Sequence, residues 1–293
     1  MTPRLAFARS GQALALAAAA SLAAGAQTQK PFISTTHAVG VDVSVYDGDR
    51  AVPALGLPDF EVLDNGVRQK LSSAQRNTLA LDLRLLFDTS GSITSDDLEK
   101  YRRAMTRVAA ALRPEDRIEI LTFNGRVGEV VPLQHPPIKI VFDRQGRDGT
   151  SFFDAVSLAM ITRPLPDRRQ ITVVLSDAVD NASFFDKDTL YDAVRRTNAV
   201  VYTVLPIALA QDTSRYAARL DMLARVTGGG LVRAHWDSRM GNTVIKALEE
   251  FRQGYVLHYV PEGVPIEGWH ALTVRVTGGR RYTVRAREGY FGR

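Results

Sequence analysis

Asp88, Ser90 and Ser92 place three oxygen-bearing side chains at steps of two. They close the stretch Leu83-Arg84-Leu85-Leu86-Phe87-Asp88-Thr89-Ser90-Gly91-Ser92. Its apolar run reads as a buried strand, which puts Asp88 at the carboxyl end and both serines on the turn that follows. Oxygen donors of this kind suit a hard cation such as Mg²⁺, which takes about six oxygen ligands and usually keeps some waters. Two more loops carry the same chemistry. Asp148-Gly149-Thr150-Ser151 precedes a helical stretch, and Ser176-Asp177-Ala178 follows a second buried strand. Ligands of open α/β sheets bind outside the carboxyl ends of the strands. Asp88 and Asp177 fall at such ends, and Thr150 can reach the same place from its loop. Two carboxylates and three hydroxyls would leave a position open, and a carboxylate from a partner protein suits it.

Each loop alone carries little weight, because Ser and Thr after a strand often serve as turn and cap residues. The three together carry more, and competing chemistries lack their residues. An aspartyl phosphatase would need a second Asp at position 90, which is Ser90. His37, His135, His235, His258 and His270 show no i, i+4 pair for zinc and read as structural or surface residues. No Gly-x-Ser-x-Gly elbow surrounds Ser90. Gly228-Gly229-Gly230 follows a helix, so it stops that helix rather than cradling a phosphate. A metal-dependent hydrolase would have only Asp180 as a base beside the site. Phe184 and Phe185, beside the third loop, are expected to pack beneath it rather than stand at its rim.

The elements that position these loops follow from periodicity. Leu81–Phe87, Arg117–Phe123, Gln170–Ser176, Val200–Leu205 and Leu231–Ala234 read as strands. Helical stretches alternate with them at Asp96–Leu112, Ser151–Thr162, Lys187–Asn198, Ser214–Val226 and Gly241–Arg252. Thr94 with Asp97 forms a capping-box pattern ahead of the first helix. Asn124-Gly125 turns the chain into a hairpin return at Gly128–Leu133, and Gln134–Gly149 reads as loop. The alternation implies a doubly wound, mostly parallel sheet with helices on both faces. Residues 37–78 and 254–293 instead read as short β segments separated by turns, each too small to stand alone. They are expected to pair into one small β-sandwich, with the α/β domain of residues 80–253 inserted between them.

Residues 1–26 have the form of a secretory signal peptide: Arg4 and Arg9, an apolar run from Ala13 to Ala24, and Ala24-Gly25-Ala26 as the cleavage pattern. The run is short of the roughly 20 apolar residues of a membrane span. Residues 27–36 form a polar linker. The chain is therefore expected to be secreted or periplasmic, with no stable membrane span. The formal charge of +5 falls to +3 without the two leader arginines, and no lysine or arginine run follows, which argues against nucleic-acid binding. The absence of cysteine excludes disulfides, thiol chemistry and cysteine-ligated zinc.

Asp88-Thr89-Ser90-Gly91-Ser92, then Gly149-Thr150, then Ser176-Asp177 resembles the metal-ion-dependent adhesion site (MIDAS) of von Willebrand factor type A (VWA) domains. Asp59-Phe60-Glu61-Val62-Leu63-Asp64-Asn65-Gly66 and the ending from Tyr255-Val256-Leu257 to Arg287-Glu288-Gly289-Tyr290-Phe291 resemble the bacterial exported VWFA-related family. The resemblance implies a binding module rather than an enzyme. It implies Mg²⁺, or Mn²⁺ or Ca²⁺ in its place, held by Asp88, Ser90, Ser92, Thr150 and Asp177. The cation would capture a Glu or Asp of a protein partner, in adhesion or in contacts within the cell envelope. The alternative is a structural or assembly subunit of the envelope that keeps the fold and needs no metal. Two departures from the family pattern stand out. Ala178 occupies a position where glycine is usual, and the 134–149 stretch lacks the helix commonly found there.

Overall fold

The computed structural model describes residues 38–76, 78–91, 93–142, 149–161, 165, 168–207, 214–235, 237, 239–278 and 280–292. The leader pattern at 1–26 and the linker at 27–36 lie outside them. Five strands come first: β1 (Val39–Asp47), β2 (Arg50–Ala51), β3 (Phe60–Asp64), β4 (Val67–Arg68) and β5 (Leu71–Arg76). The α/β part follows as β6 (Ala80–Asp88), α1 (Ser95–Ala110), β7 (Arg117–Phe123), β8 (Val127–Gln134), α2 (Phe152–Ile161), β9 (Arg168–Leu175), α3 (Lys187–Arg196), β10 (Val200–Pro206), α4 (Ser214–Thr227), β11 (Leu231–Ala234) and α5 (Met240–Gln253). The chain ends in β12 (Tyr255–Tyr259), β13 (Gly268–Val276), β14 (Thr283–Ala286) and β15 (Gly289–Gly292).

The large sheet runs β11-β10-β9-β6-β7-β8 and is parallel except for β8, the expected hairpin return. Side chains alternate across it. Leu81, Leu83, Leu85 and Phe87 of β6 pack on one face with Tyr101, Met105 and Val108 of α1 and Val244, Leu248 and Phe251 of α5. Leu86 faces the other way, toward a core drawn from α2, α3 and α4. Burial on both faces explains why β6 reads as a continuous apolar run. The helix start at α1 is set as its residues require: the Asp97 N–H donates to Thr94 Oγ1, and the Thr94 N–H to Asp97 Oδ2.

The two ends of the chain meet in a β-sandwich. One sheet runs β14-β1-β12-β5 with β2 beside β1, and the other runs β15-β13-β3-β4. Val41, Val43, Tyr255 and Leu257 of the first share a core with Phe60, Val62 and Leu272 of the second. This core holds one buried polar cluster. Asp64 accepts from the Tyr259 and Tyr290 hydroxyls at 2.9 and 2.8 Å and lies 2.8 Å from His270 Nδ1. Among the described residues His135 and His258 are hydrogen-bonded elsewhere in the fold. The sandwich is tied to the α/β part by the Glu288 N–H on the Val226 carbonyl, 3.1 Å, and by the Arg287 guanidinium on the Thr197 carbonyl, 2.9 Å. Among the described residues no helix is long and apolar enough to cross a membrane.

The strand order locates the site. The chain leaves β6 for β7 on one side, and β9, reached later, lies on the other. Such a reversal opens a crevice at the carboxyl ends of the two strands. Phe87 stands opposite Leu175 in the register. The residues that follow, Asp88 and Ser176, therefore emerge side by side.

Candidate metal centre

Asp88 is 3% exposed. Its Oδ1 accepts from the Ser90 N–H at 3.0 Å and its Oδ2 from the Ser176 hydroxyl at 2.8 Å. Burial pushes its carboxyl above the ordinary range, the Ser90 and Ser176 hydrogen bonds pull it down, and the nearby Asp177 charge adds to the rise. None of these groups is a cation. Tyr101, fully buried in the same core, has its phenol pushed well up by burial and by the charges of Asp88, Asp97 and Asp177. The end of β6 thus sets the buried Asp88 carboxylate near a second one, Asp177, and a buried carboxylate without a positive partner is costly.

The third loop is held in one shape. Asp177 Oδ1 accepts from the Val179 N–H at 2.9 Å, a local turn typical of Asp. Ala178 between them takes φ +60°, the left-handed region that glycine adopts without strain. Its N–H donates to Ser176 Oγ at 2.9 Å, and its carbonyl accepts from the Arg219 guanidinium of α4. Arg219 lies 4.7 Å from the Phe153 ring centre and 5.6 Å from that of Tyr216. The departure noted at Ala178 is therefore accommodated by a fixed backbone.

The second loop is laced to the segment after the third. The Thr150 N–H donates to Asn181 Oδ1 at 2.7 Å, and the Thr150 carbonyl accepts from the N–H groups of Asn181 and Ala182 at 3.0 and 3.2 Å. Gly149 takes φ +81°, and a Cβ there would lie 2.6 Å from that of Ala182. The first loop is anchored by Thr89, whose N–H and hydroxyl both donate to the Phe123 carbonyl, at 2.8 and 3.1 Å.

Asp88 is thus bonded to Ser90 and feels the charge of Asp177, and Thr150, 5% exposed, is bonded to Asn181, four residues after Asp177. Ser92 lies outside the described residues. The donors are carboxylates and hydroxyls, a set suited to Mg²⁺, Mn²⁺ or Ca²⁺ rather than to soft metals. Among the described residues no group of three or more His, Cys, Asp or Glu gathers, so a cation here would lean on hydroxyls.

Of the residues that join the loops, Ser176 belongs to the third-loop pattern in the sequence, whereas Asn181 and Asp154 carry no such signal because their partners are distant in the chain. Asp180, the one candidate base, has its Oδ1 bound to the Phe153 N–H at 3.1 Å and the Ser183 hydroxyl at 2.5 Å. That carboxylate serves the first turn of α2, where negative charge suits the helix dipole. The expectation that Phe184 packs beneath the loop is overturned: it is 92% exposed, and Phe185 is 37% exposed. The N–H groups of both residues donate to Asp154, which turns the Phe184 side chain outward.

No match appears among curated protein sequences. Solved structures with a related fold include the conserved hypothetical protein BatB from Bacteroides thetaiotaomicron, at 16% identity and TM-score 0.42 over 59% of this chain and 98% of that one. A von Willebrand factor type A protein from Catenulispora acidiphila matches at 12% identity and TM-score 0.49, over 83% of this chain and 75% of that one. VWA2, the ArnB paralog from Sulfolobus acidocaldarius, matches at 11% identity and TM-score 0.49, over 87% and 75%. The profile of the von Willebrand factor type A domain matches residues 82–228, half of the chain, from within β6 to just past the end of α4. The chain belongs to the von Willebrand factor type A domain family.

Proposed function

We propose that this protein is an exported binding module. It holds a divalent cation, Mg²⁺ or in its place Mn²⁺ or Ca²⁺, through Asp88, Ser90, Ser92, Thr150 and Asp177. Through that cation it takes a Glu or Asp carboxylate of a protein partner. The observation that carries this reading is Asp88, a buried carboxylate among neutral donors with a second carboxylate beside it. Bound there, the cation would supply positive charge to both carboxylates and an open coordination position for a hard anionic ligand. The chain's own part is positioning. Ser176 orients Asp88, the 177–179 turn sets Asp177, and Asn181 fixes the backbone of Thr150. The family is one of interaction modules, and Asp180, the only base the sequence offered, is already engaged. The leader pattern at residues 1–26 supports export.

The test is capture of exported proteins on the immobilised protein in Mg²⁺ and in EDTA, with Asp177→Ala as control. The reading expects a partner retained only by wild type and only with Mg²⁺. Capture that survives EDTA and Asp177→Ala would favour the structural subunit that needs no metal.

A further inference from the structure

Phe184 is 92% exposed on a loop that is not free to fold it away. A phenylalanine left in water forgoes about 1.5–3 kcal/mol of burial. The loop is clamped from below. Asp154, in the first turn of α2, accepts the Phe184 N–H on Oδ2 at 2.9 Å and the Phe185 N–H on Oδ1 at 2.8 Å. The Asp154 N–H in turn donates to Ser183 Oγ at 3.1 Å. Phe185 backs Phe184 edge to face, with ring centres 5.8 Å apart. Two residues before Phe184, the Ala182 N–H is bound to the Thr150 carbonyl. Two residues of chain span at most about 7 Å. The exposed ring therefore stands at the edge of the loop cluster that carries Thr150 and Asp177.

We infer that Phe184 is a second anchor for the partner. The protein recognises an acidic side chain with an apolar side chain one or two positions away, the acid going to the cation and the apolar group to Phe184. This rests on the cation-bridged reading above and adds the class of segment recognised. Charge selects the acid, because the one open ligand position lies on a cation. The short reach from Thr150 to Phe184 selects the spacing, since side chains one or two positions apart in an extended segment are about 3.5–7 Å apart along the chain. An aromatic held in place before binding loses little entropy on contact, which is the usual character of an interface anchor. The clamp on Asp154 uses backbone N–H groups alone, so Phe184→Ser removes the ring and leaves the loop.

The experiment is selection from a displayed library of random heptapeptides by the full-length protein, in Mg²⁺ and in EDTA, with wild type and Phe184→Ser. Wild type is expected to enrich, only in Mg²⁺, peptides with Glu or Asp accompanied within two positions by a Leu, Ile, Met or Phe. Phe184→Ser is expected to keep the Mg²⁺-dependent acid and lose the apolar preference, and to bind single selected peptides about tenfold more weakly. Acidic peptides with no apolar preference in wild type, or the same preference in Phe184→Ser, would overturn the anchor and leave the cation reading standing. Absence of Mg²⁺-dependent enrichment of acids by either protein would remove both. A wild-type dimer in light scattering that Phe184→Ser abolishes would assign the ring to a second copy and overturn the proposal as well.

Discussion

The Ser176 hydroxyl donates to Asp88 Oδ2 at 2.8 Å and accepts from the Ala178 N–H at 2.9 Å. One small side chain thus joins the end of β6 to the turn after β9. It orients the buried carboxylate and supports the left-handed residue beside Asp177. It supplies no charge, so the negative potential of the site is left for a cation to neutralise.

That arrangement sets a pH dependence. Burial raises the Asp88 carboxyl in the folded state, with Asp177 adding to the rise, whereas the unfolded chain keeps the ordinary carboxylate value. The metal-free folded state therefore holds its proton more readily. Its stability falls as pH rises from the unfolded carboxylate value through the raised value of Asp88. Asp88→Asn is expected to raise the neutral-pH Tm of the metal-free protein, by about 2–4 °C for each kcal/mol recovered. The gain should vanish in acid, below the unfolded carboxylate value. In Mg²⁺ the order reverses, because only wild type gains from the ion. Thermal melts across pH with EDTA or Mg²⁺ check this.

Asn181 is the test of the second loop. Asn181→Ala deletes the acceptor for the Thr150 N–H, and a lost hydrogen bond that leaves a buried donor unpaired costs about 1–3 kcal/mol. The expected outcome is a melt lowered by that amount together with weaker Mg²⁺ binding. Hydrogen exchange should place the loss of protection at residues 149–151. A lowered melt with Mg²⁺ affinity unchanged would show that the clamp serves the fold alone.

What was legible before the coordinates was local. Leu83 to Asp88 reads as a buried strand because both its faces are apolar, and Thr94 with Asp97 marks the start of α1 within four residues. Within the terminal segments, which read only as short β runs, β5 (Leu-Ser-Ser-Ala-Gln-Arg) and β15 (Gly-Tyr-Phe-Gly) carry no clean alternation that would mark their bounds. They are strands because β12 and β13 lie beside them. Asp88, Ser90 and Asp177 could be named from strand-end chemistry. The bridges Ser176–Asp88, Asn181–Thr150 and Asp154–Phe184 could not, since each joins segments that no local spacing relates.

Arg219 and Ala178 should be coupled. The guanidinium holds the carbonyl of a residue whose left-handed backbone costs an alanine roughly 1–2 kcal/mol. Arg219→Met is expected to loosen the third loop and weaken Mg²⁺ binding several-fold. Ala178→Gly removes the strain, so it should recover much of that loss in the double variant. A coupling above about 0.5 kcal/mol in the metal-binding cycle checks the account, and simple additivity counts against it.

Arg84 interrupts the apolar run of β6 and is nonetheless buried, ion-paired with Glu119 on β7 and bound to the Ala159 carbonyl of α2. Removing one partner strands a buried charge, which costs about 3–5 kcal/mol. Glu119→Ala should lower stability by that order in denaturant melts. Replacing both partners with Met and Leu should cost much less.

Calorimetric titration of the purified protein with Mg²⁺ at neutral pH tests whether the three loops hold one divalent cation. A single saturable site is expected in wild type and is lost in both Asp88→Asn and Asp177→Ala, with both variants folded by their melts. No binding by wild type, or equal binding by wild type and the two variants, would contradict it.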